Sequence, residues 1–165
     1  MVLYIYLMSR TTRHQVIKGL QATLPRGAPF DLPVLQSFGV SPQLAALYAE
    51  SGWLVRLGHG VYAFPNDAFD VNGALLFLQR RVASLHVGGK SALALQGVRH
   101  NLGVRDTLVL WGEARFARPT WFTERFPARY VNARLFDWSD PDLAEATMHT
   151  PPGQTQGLRV AVPER

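Results

Sequence analysis

The segment Gly39-Val40-Ser41-Pro42 constrains this chain more than any other feature, because it lies between two short stretches of helical character. Glycine can adopt a positive φ, a serine hydroxyl can cap free helix amides, and proline fits a first helical position. One helix is therefore expected to end at Gly39 and another to begin directly after Ser41. Two helices joined by a tight glycine turn form the helix-turn-helix pattern.

Three stretches of the amino-terminal half place apolar residues at the spacing of an amphipathic helix. They are residues 11–24, 31–38 and 42–51. Thr11 or Thr12 can cap the first helix and Asp31 the second. The segment Pro25-Arg26-Gly27-Ala28-Pro29 is expected to end the first helix, because proline lacks the amide that would continue its hydrogen-bond ladder.

Two β-rich segments, Trp53–Leu57 and Val61–Phe64, follow the third helix. The intervening Gly58-His59-Gly60 is typical of a hairpin turn. Three helices closed by a hairpin predict a winged helix-turn-helix domain over residues 1–66. Residues 67–165 are expected to form a smaller mixed α/β domain, so the predicted fold class is α+β.

The third helix and the hairpin offer side chains suited to duplex DNA. Apolar spacing assigns Leu44, Leu47 and Tyr48 to the core, so the opposite side of the helix is expected to face outward. Gln can pair with adenine and Ala can touch a thymine methyl in the major groove, whereas basic residues reach phosphates or the minor groove. The candidate base contacts are Ser41, Gln43, Ala45 and Ala46, and the candidate backbone contacts are Arg13, Lys18, Arg56 and His59. An ordinary surface helix and a merely solvated Arg56 are the alternatives.

The charge balance favours an anionic partner, since 17 Lys+Arg face 12 Asp+Glu and the net charge is +5. Residues 1–65 hold five basic residues against two acidic ones, and the remainder holds twelve against ten. The chain has no cysteine and its five histidines lack metal-ligand spacing, so neither a disulfide nor a metal or other cofactor is expected. We expect a reducing cytoplasm. The apolar residues 1–8 are too few for the roughly 20 of a membrane helix, so no membrane association is expected.

Two segments of the second half have both a chemical and a structural interpretation. Gly88-Gly89-Lys90-Ser91 is similar to a phosphate-binding loop, but a Walker motif requires glycine where Ser84 stands. A strand turning into a helix over Lys90–Leu95 is the preferred interpretation. The segment Glu113–Phe122 interleaves arginines with aromatic residues, which indicates either base stacking or an amphipathic connection with core aromatics. Predicted regular elements include a helix over 70–83 and strands over 107–111 and 129–136.

The acidic segment Asp137–Glu145 raises the possibility of a nuclease, since such enzymes gather carboxylates around magnesium. Its carboxylates fall within one loop and one helix start. Ser139 or Asp140 as a cap, with Pro141 in the first turn, accounts for the segment without chemistry. A non-enzymatic protein is therefore the preferred hypothesis.

The segment Gly52–Pro65, followed by His86–Gly97, resembles the AbiEi family of antitoxins and transcriptional regulators. The resemblance implies an amino-terminal winged helix that binds inverted repeats upstream of its own operon, and it makes a homodimer on DNA an expectation. It also implies a carboxy-terminal domain that counters a toxin of the nucleotidyltransferase type. The third helix departs from a typical DNA reader, because its outward side carries no Arg or Lys. Residues 157–165 indicate a strand and the start of a helix, so a shortened carboxy-terminal domain is expected.

Together these observations predict a DNA-binding repressor that autoregulates a toxin–antitoxin operon. A winged helix that docks proteins without specific DNA binding is the main alternative, and a nuclease is the other.

Overall fold

The structure, a computed structural model, describes residues 14–95, 107–134, 140–142, 148–149 and 158–160 of the chain. Contacts divide the chain into two compact units, Met1–Gly73 and Ala74–Arg165. Both units combine helices with small sheets, so the predicted mixture of α and β structure is confirmed. No helix in the described ranges has the length and apolar character needed to cross a membrane.

The described part of the first unit, residues 14–73, contains three helices and a three-stranded sheet. In chain order they are α1 (residues 14–23), β1 (Phe30–Asp31), α2 (Leu32–Ser37), α3 (Pro42–Glu50), β2 (Val55–Gly58) and β3 (Val61–Ala63). The sheet is antiparallel, in the order β1-β3-β2, with Phe30 opposite Tyr62 and Val55 opposite Ala63. The predicted second helix, third helix and hairpin are therefore present.

All three helices and the sheet of the first unit meet in one apolar core. The buried cluster consists of Ile17, Leu20, Phe30, Leu35, Val40, Ala45, Tyr48, Leu54, Tyr62 and Phe64. Leu20, Leu35 and Val40 are fully buried, and burial of one such side chain contributes roughly 1.5–3 kcal/mol. This core fixes α3 against the hairpin and so positions the candidate interface.

Asp67 ties the segment after β3 to the loop between α1 and β1. Its carboxylate pairs with the Arg26 guanidinium at 2.5 Å and accepts a hydrogen bond from the Gly27 amide at 3.0 Å. The Asp70 amide donates to the Gly27 carbonyl at 2.9 Å, and the Arg26 guanidinium lies 5.2 Å from the centre of the Phe64 ring. Arg26 is therefore neutralised within the fold.

This attachment changes the charge of the first unit from the sequence-based estimate. Because Asp67 and Asp70 belong to it, Met1–Gly73 holds five Lys/Arg against four Asp/Glu, a formal net charge of +1. Most of the positive charge of the chain lies in the other unit, Ala74–Arg165. Counted over Met1–Gly73 instead of residues 1–65, the amino-terminal part is therefore not the more basic one.

The second unit is built on a mixed sheet. Helix α4 (Val71–Arg81) spans the division between the units and leads into β4 (His86–Val87), α5 (Gly89–Leu95), β5 (Leu108–Gly112), α6 (Thr120–Thr123) and β6 (Ala128–Asn132). The strand order is β4-β5-β6, with β4 antiparallel and β6 parallel to β5. Two further strands, β7 (Met148–His149) and β8 (Leu158–Arg159), pair with each other.

The structural interpretations of the second-half motifs are supported. The Gly88 amide donates to the Val109 carbonyl at 3.0 Å and the Ser91 hydroxyl accepts from the Val109 amide at 3.0 Å, so this segment turns a strand into α5. Trp121 and Phe122 are buried, so those two aromatics of the interleaved segment are core residues.

The predicted cap in the acidic segment is also present. The Asp140 carboxylate accepts a hydrogen bond from the Asp142 amide at 3.0 Å. Residues 135–139 and 143–147 lie outside the described residues.

Gln79 of α4 joins residues distant in sequence. Its side-chain amide donates to the Arg159 carbonyl at 2.8 Å and accepts from the Arg159 amide at 3.0 Å. The Arg159 guanidinium donates to the Gln79 carbonyl at 2.8 Å. A helix side chain therefore pairs with both backbone groups of a β8 residue, as a neighbouring strand would.

His86 is a buried titratable residue on β4, with a relative exposure of 1%. Its Nδ1 donates to the Ser84 carbonyl at 2.9 Å. Burial lowers the pKa of the imidazole below its ordinary value of 6.5 despite that hydrogen bond, and the charge of Arg159 acts in the same direction. The folded state therefore holds neutral His86 where the unfolded chain takes up a proton.

Acidification is consequently expected to destabilise the second unit. The free energy of unfolding that depends on a neutral His86 is fully present above pH 6.5. It falls as the pH drops below that value, because the unfolded state then binds more protons than the folded state. Urea unfolding at about pH 7.5 and about pH 5.5 measures this slope. His86→Gln should flatten it. An equal slope in wild type and His86→Gln would contradict the assignment.

Candidate nucleic-acid interface

The connection between α2 and α3 is set by local capping. The Asp31 carboxylate accepts from the Val34 amide at 3.2 Å at the start of α2. Gly39 ends that helix with a φ of +76°, and its amide donates to the Gln36 carbonyl at 2.9 Å. Val40 then enters the core with 0% exposure, so the turn is anchored at its centre.

Ser41 begins α3 as predicted. Its hydroxyl accepts from the Leu44 amide at 3.2 Å, and Pro42 occupies the first turn of the helix. The Ser41 side chain is exposed, and its hydroxyl hydrogen is not used by the cap. Ser41 can therefore stabilise α3 and still donate a hydrogen bond to a ligand.

Loss of this cap gives a local test. Ser41→Ala is expected to lower the free energy of unfolding of the first unit by about 1 kcal/mol, because one helix amide loses its acceptor. Ser41→Asp keeps the cap and should restore stability, which chemical denaturation would measure. Ser37→Ala, which removes an exposed hydroxyl at the end of α2, is the matched control. A loss at Ser41 no larger than the loss at Ser37 would show that the cap contributes no more than an ordinary exposed hydroxyl.

The outward side of α3 differs from the sequence-based expectation. Ala45 has 0% exposure and belongs to the core cluster, so the proposed contact between Ala45 and a thymine methyl is wrong. Leu47, assigned to the core from its spacing, is 38% exposed. The helix packs through Ala45 and Tyr48, because a small side chain lets its backbone approach the core closely. Four residues of α3 are exposed, namely Pro42, Gln43, Leu47 and Glu50, and Ala46 is half-buried.

The remaining basic candidates lie on other elements. Arg56 is exposed on β2, and its Nε donates to the Gly58 carbonyl at 3.4 Å, a long hydrogen bond. The register with β3 shifts between Arg56 and Gly58. His59 is exposed in the following turn, and Lys18 is exposed on α1. Arg13 lies outside the described residues.

The structure thus brings the candidates together in two groups. Ser41, Gln43 and Ala46 share the first part of α3, whereas Arg56 and His59 share the hairpin. Lys18 lies on a third element, α1. Glu50 adds a negative charge to the exposed side of α3, so this side offers hydrogen bonds and apolar contact instead of a positive charge.

Sequence reasoning missed an apolar contribution to this unit. Leu47, Trp53 and Val55 are the exposed large hydrophobic residues among those the structure describes. The Trp53 ring contacts the His14 ring edge-on, with centroids 5.3 Å apart. The signal in the sequence was Trp53 directly after Gly52, which places a large apolar side chain at an exposed helix end.

Within residues 14–95, 107–134 and the short segments beyond, no group of three His, Cys, Asp or Glu residues could hold a metal ion.

Comparison with known proteins identifies the class. Residues 13–104 match the model of the amino-terminal domain of AbiEi antitoxin transcriptional regulators. Residues 105–165 match the model of AbiEi antitoxin transcriptional regulators of type IV toxin–antitoxin systems. Both models describe transcriptional regulators of the AbiEi antitoxin type. The chain belongs to the AbiEi antitoxin family, which confirms the resemblance found in the sequence.

A solved structure, that of the RV2827C protein from Mycobacterium tuberculosis, is similar at 20% sequence identity and a TM-score of 0.49. The similarity covers 75% of this chain and 46% of that one, so the chain spans less than half of that protein's length. No curated protein gives a significant match.

Proposed function

We propose that the first unit is a winged helix-turn-helix that binds duplex DNA with α3 in the major groove. The main observation in support of this proposal is the structure of α3, which is capped at its start, packed against the core on one side and exposed on the other. The order α1-β1-α2-α3-β2-β3 and the strand order β1-β3-β2 support the winged arrangement. A helix of this size fits the major groove.

Within this proposal, base recognition comes from neutral residues. Ser41 and Gln43 offer hydrogen bonds to base edges, and Ala46 and Leu47 offer apolar contact to thymine methyls. Arg56 and His59 on the hairpin, with Lys18 on α1 and Arg13 before it, supply phosphate contacts. The net charge of +1 makes few such contacts available, so close fit and DNA shape carry much of the specificity.

We further propose that the protein represses its own toxin–antitoxin operon and counteracts a nucleotidyltransferase-type toxin through the second unit. Binding to an inverted repeat requires two copies of α3, which favours a homodimer on DNA. The proposed activity is non-enzymatic and calls for no cofactor. The proposal that the protein represses an operon rests on its membership of the AbiEi family. The proposal that it contacts DNA rests on the structure of α3.

Duplex binding across a salt series tests the proposal. The probe is a labelled duplex carrying the inverted repeat upstream of the gene, compared with a scrambled duplex from about 50 mM to about 200 mM salt. The repeat is expected to bind at least about a hundredfold tighter, with a shallow salt slope because few phosphates are neutralised. Equal affinity for the two duplexes would refute specific repression.

A second candidate function is a protein-docking winged helix without specific DNA binding. The exposed Leu47, Trp53 and Val55 favour it, together with Glu50 on the same helix as Leu47. Retained toxin neutralisation with no measurable duplex binding would select this candidate, whereas selective binding of the repeat would select the first.

A further inference from the structure

Strand β6 lies at the edge of the second-unit sheet and pairs only with β5 in the part of the chain that the structure describes. The Pro127 carbonyl accepts from the Leu108 amide at 2.8 Å, and the Ala133 amide donates to the Gly112 carbonyl at 3.0 Å. Backbone groups alternate between the two sides of a strand. The amides and carbonyls of Ala128, Tyr130 and Asn132 must therefore point away from β5.

This outer edge is only partly covered. The Arg118 guanidinium donates to the Ala128 carbonyl and so covers one end of the strand. No backbone hydrogen bond to Tyr130 or Asn132 on the outer side is formed by any described residue. An uncovered edge presents alternating donors and acceptors that can pair with another strand.

The edge is also rigidly held. The Tyr130 hydroxyl donates to the Ala114 carbonyl at 2.6 Å, and the Asn132 side-chain amide donates to the same carbonyl at 3.2 Å. Gly112 leaves room for this contact, because a Cβ there would lie 2.6 Å from the Tyr130 hydroxyl. The ring of Phe116 packs edge-on against Tyr130, at 5.4 Å between centroids. A pre-organised edge loses little conformational freedom on pairing.

The surroundings of β6 are basic. Residues 107–134 hold five arginines against two glutamates. Arg134 lies 3.6 Å from Glu113, but Arg115, Arg118 and Arg129 are exposed and form no ion pair with any described residue. Arg118 also lines an open cleft with Phe116 and Pro127, next to the covered end of the strand.

We propose that the outer edge of β6, which no described strand covers, binds an extended acidic segment of a partner protein by β-strand addition. The backbone groups of Tyr130 and Asn132 supply the pairing, and Arg129 and Arg118 attract the acidic side chains. A nucleic acid fits less well, because its phosphates only accept hydrogen bonds and would face the outward carbonyls. A second copy of this chain fits less well because its arginines would meet those of the first.

An NMR titration of the isotopically labelled full-length chain tests this surface. The probe is a capped decapeptide of alternating glutamate and valine, and a lysine–valine decapeptide is its control. The acidic peptide is expected to shift the Tyr130 and Asn132 amide signals and to bind at least about tenfold tighter than the basic one. No shift at these amides at the highest soluble peptide concentration would overturn the proposal.

Asn132 provides a matched pair of variants. Asn132→Pro removes the outward amide, which β5 does not use, and is expected to weaken peptide binding at least about tenfold. Asn132→Ala loses the same side-chain bond but keeps the amide, and should bind within about twofold of wild type. Equal binding by the two variants would refute strand addition.

Charge is tested separately at Arg129. Arg129→Glu should weaken binding of the acidic peptide about fivefold or more, and Arg129→Lys should restore it. Binding of a single-stranded oligonucleotide at these amides, unaffected by Asn132→Pro, would assign the surface to nucleic acid and overturn the proposal. The inference is independent of DNA binding by the first unit, since duplex affinity should be the same in all four variants.

Discussion

Gly27→Ala is expected to destabilise the first unit by about 3 kcal/mol. Gly27 has a φ of +75°, and an added Cβ would lie 2.7 Å from the Ala68 carbonyl oxygen. That oxygen is backbone and cannot rotate away. Relief of the clash requires the loop to move, which would break the hydrogen bonds that join Gly27 to Asp67 and Asp70.

Gly39→Ala is the control for this prediction. Its φ of +76° matches that of Gly27, but an added Cβ would meet nothing within 4 Å. Only the left-handed backbone conformation is then penalised, at about 1–2 kcal/mol. Urea unfolding followed through amide signals of the first unit compares the two variants. Equal destabilisation would mean that the contact between the loop and Ala68 adds nothing to stability.

Gln43→Ala and Arg56→Ala are expected to affect DNA binding in different ways, if the first unit binds duplex DNA as proposed. Loss of Gln43 should weaken binding to the inverted repeat by about 1–3 kcal/mol and leave scrambled DNA unaffected, because a base contact carries sequence information. Loss of Arg56 should weaken binding to both duplexes alike and reduce the salt slope by about one. Fluorescence anisotropy with both duplexes separates the two patterns.

Glu50→Ala completes this comparison on the same helix. Removal of a negative charge from the exposed side of α3 should strengthen binding to both duplexes by a few fold, because less repulsion faces the phosphates. If Gln43→Ala weakened both duplexes equally, α3 would not be reading sequence. If Glu50→Ala changed nothing, α3 would lie away from the DNA.

The elements of the first unit could be predicted from the sequence because their signals are local. Asp31 and Ser41 cap their helices through their own side chains, and Gly39 turns the chain through its own φ. None of these signals depends on a distant residue.

The misassignment on α3 had a tertiary cause. By hydrophobicity alone, Leu47 is expected in the core in preference to Ala45. The helix nevertheless packs into the cluster that contains Leu35 and Val40 through the side that carries the smaller residue. The contact between Asp67 and Arg26 is tertiary in the same way, since the two residues are distant in sequence. Neither contact leaves a periodic pattern that could be recognised beforehand.

The second unit was less predictable because its sheet depends on non-local pairing. The strand β5 could be recognised from its apolar run, but its parallel alignment with β6 joins Leu108 to Ala128 across an intervening helix. The role of Gln79 had no sequence signal at all, because its partner Arg159 lies 80 residues away.

The pairing of Gln79 with Arg159 also implies an order of events during synthesis. Domains emerging from the ribosome fold as units, beginning at the amino terminus. All residues of Met1–Gly73 are present long before Arg159 is translated. The Gln79 side chain, in contrast, can form its hydrogen bonds to Arg159 only after that residue has been synthesised. The candidate DNA-binding unit can therefore fold while the carboxy-terminal strand is still in the exit tunnel.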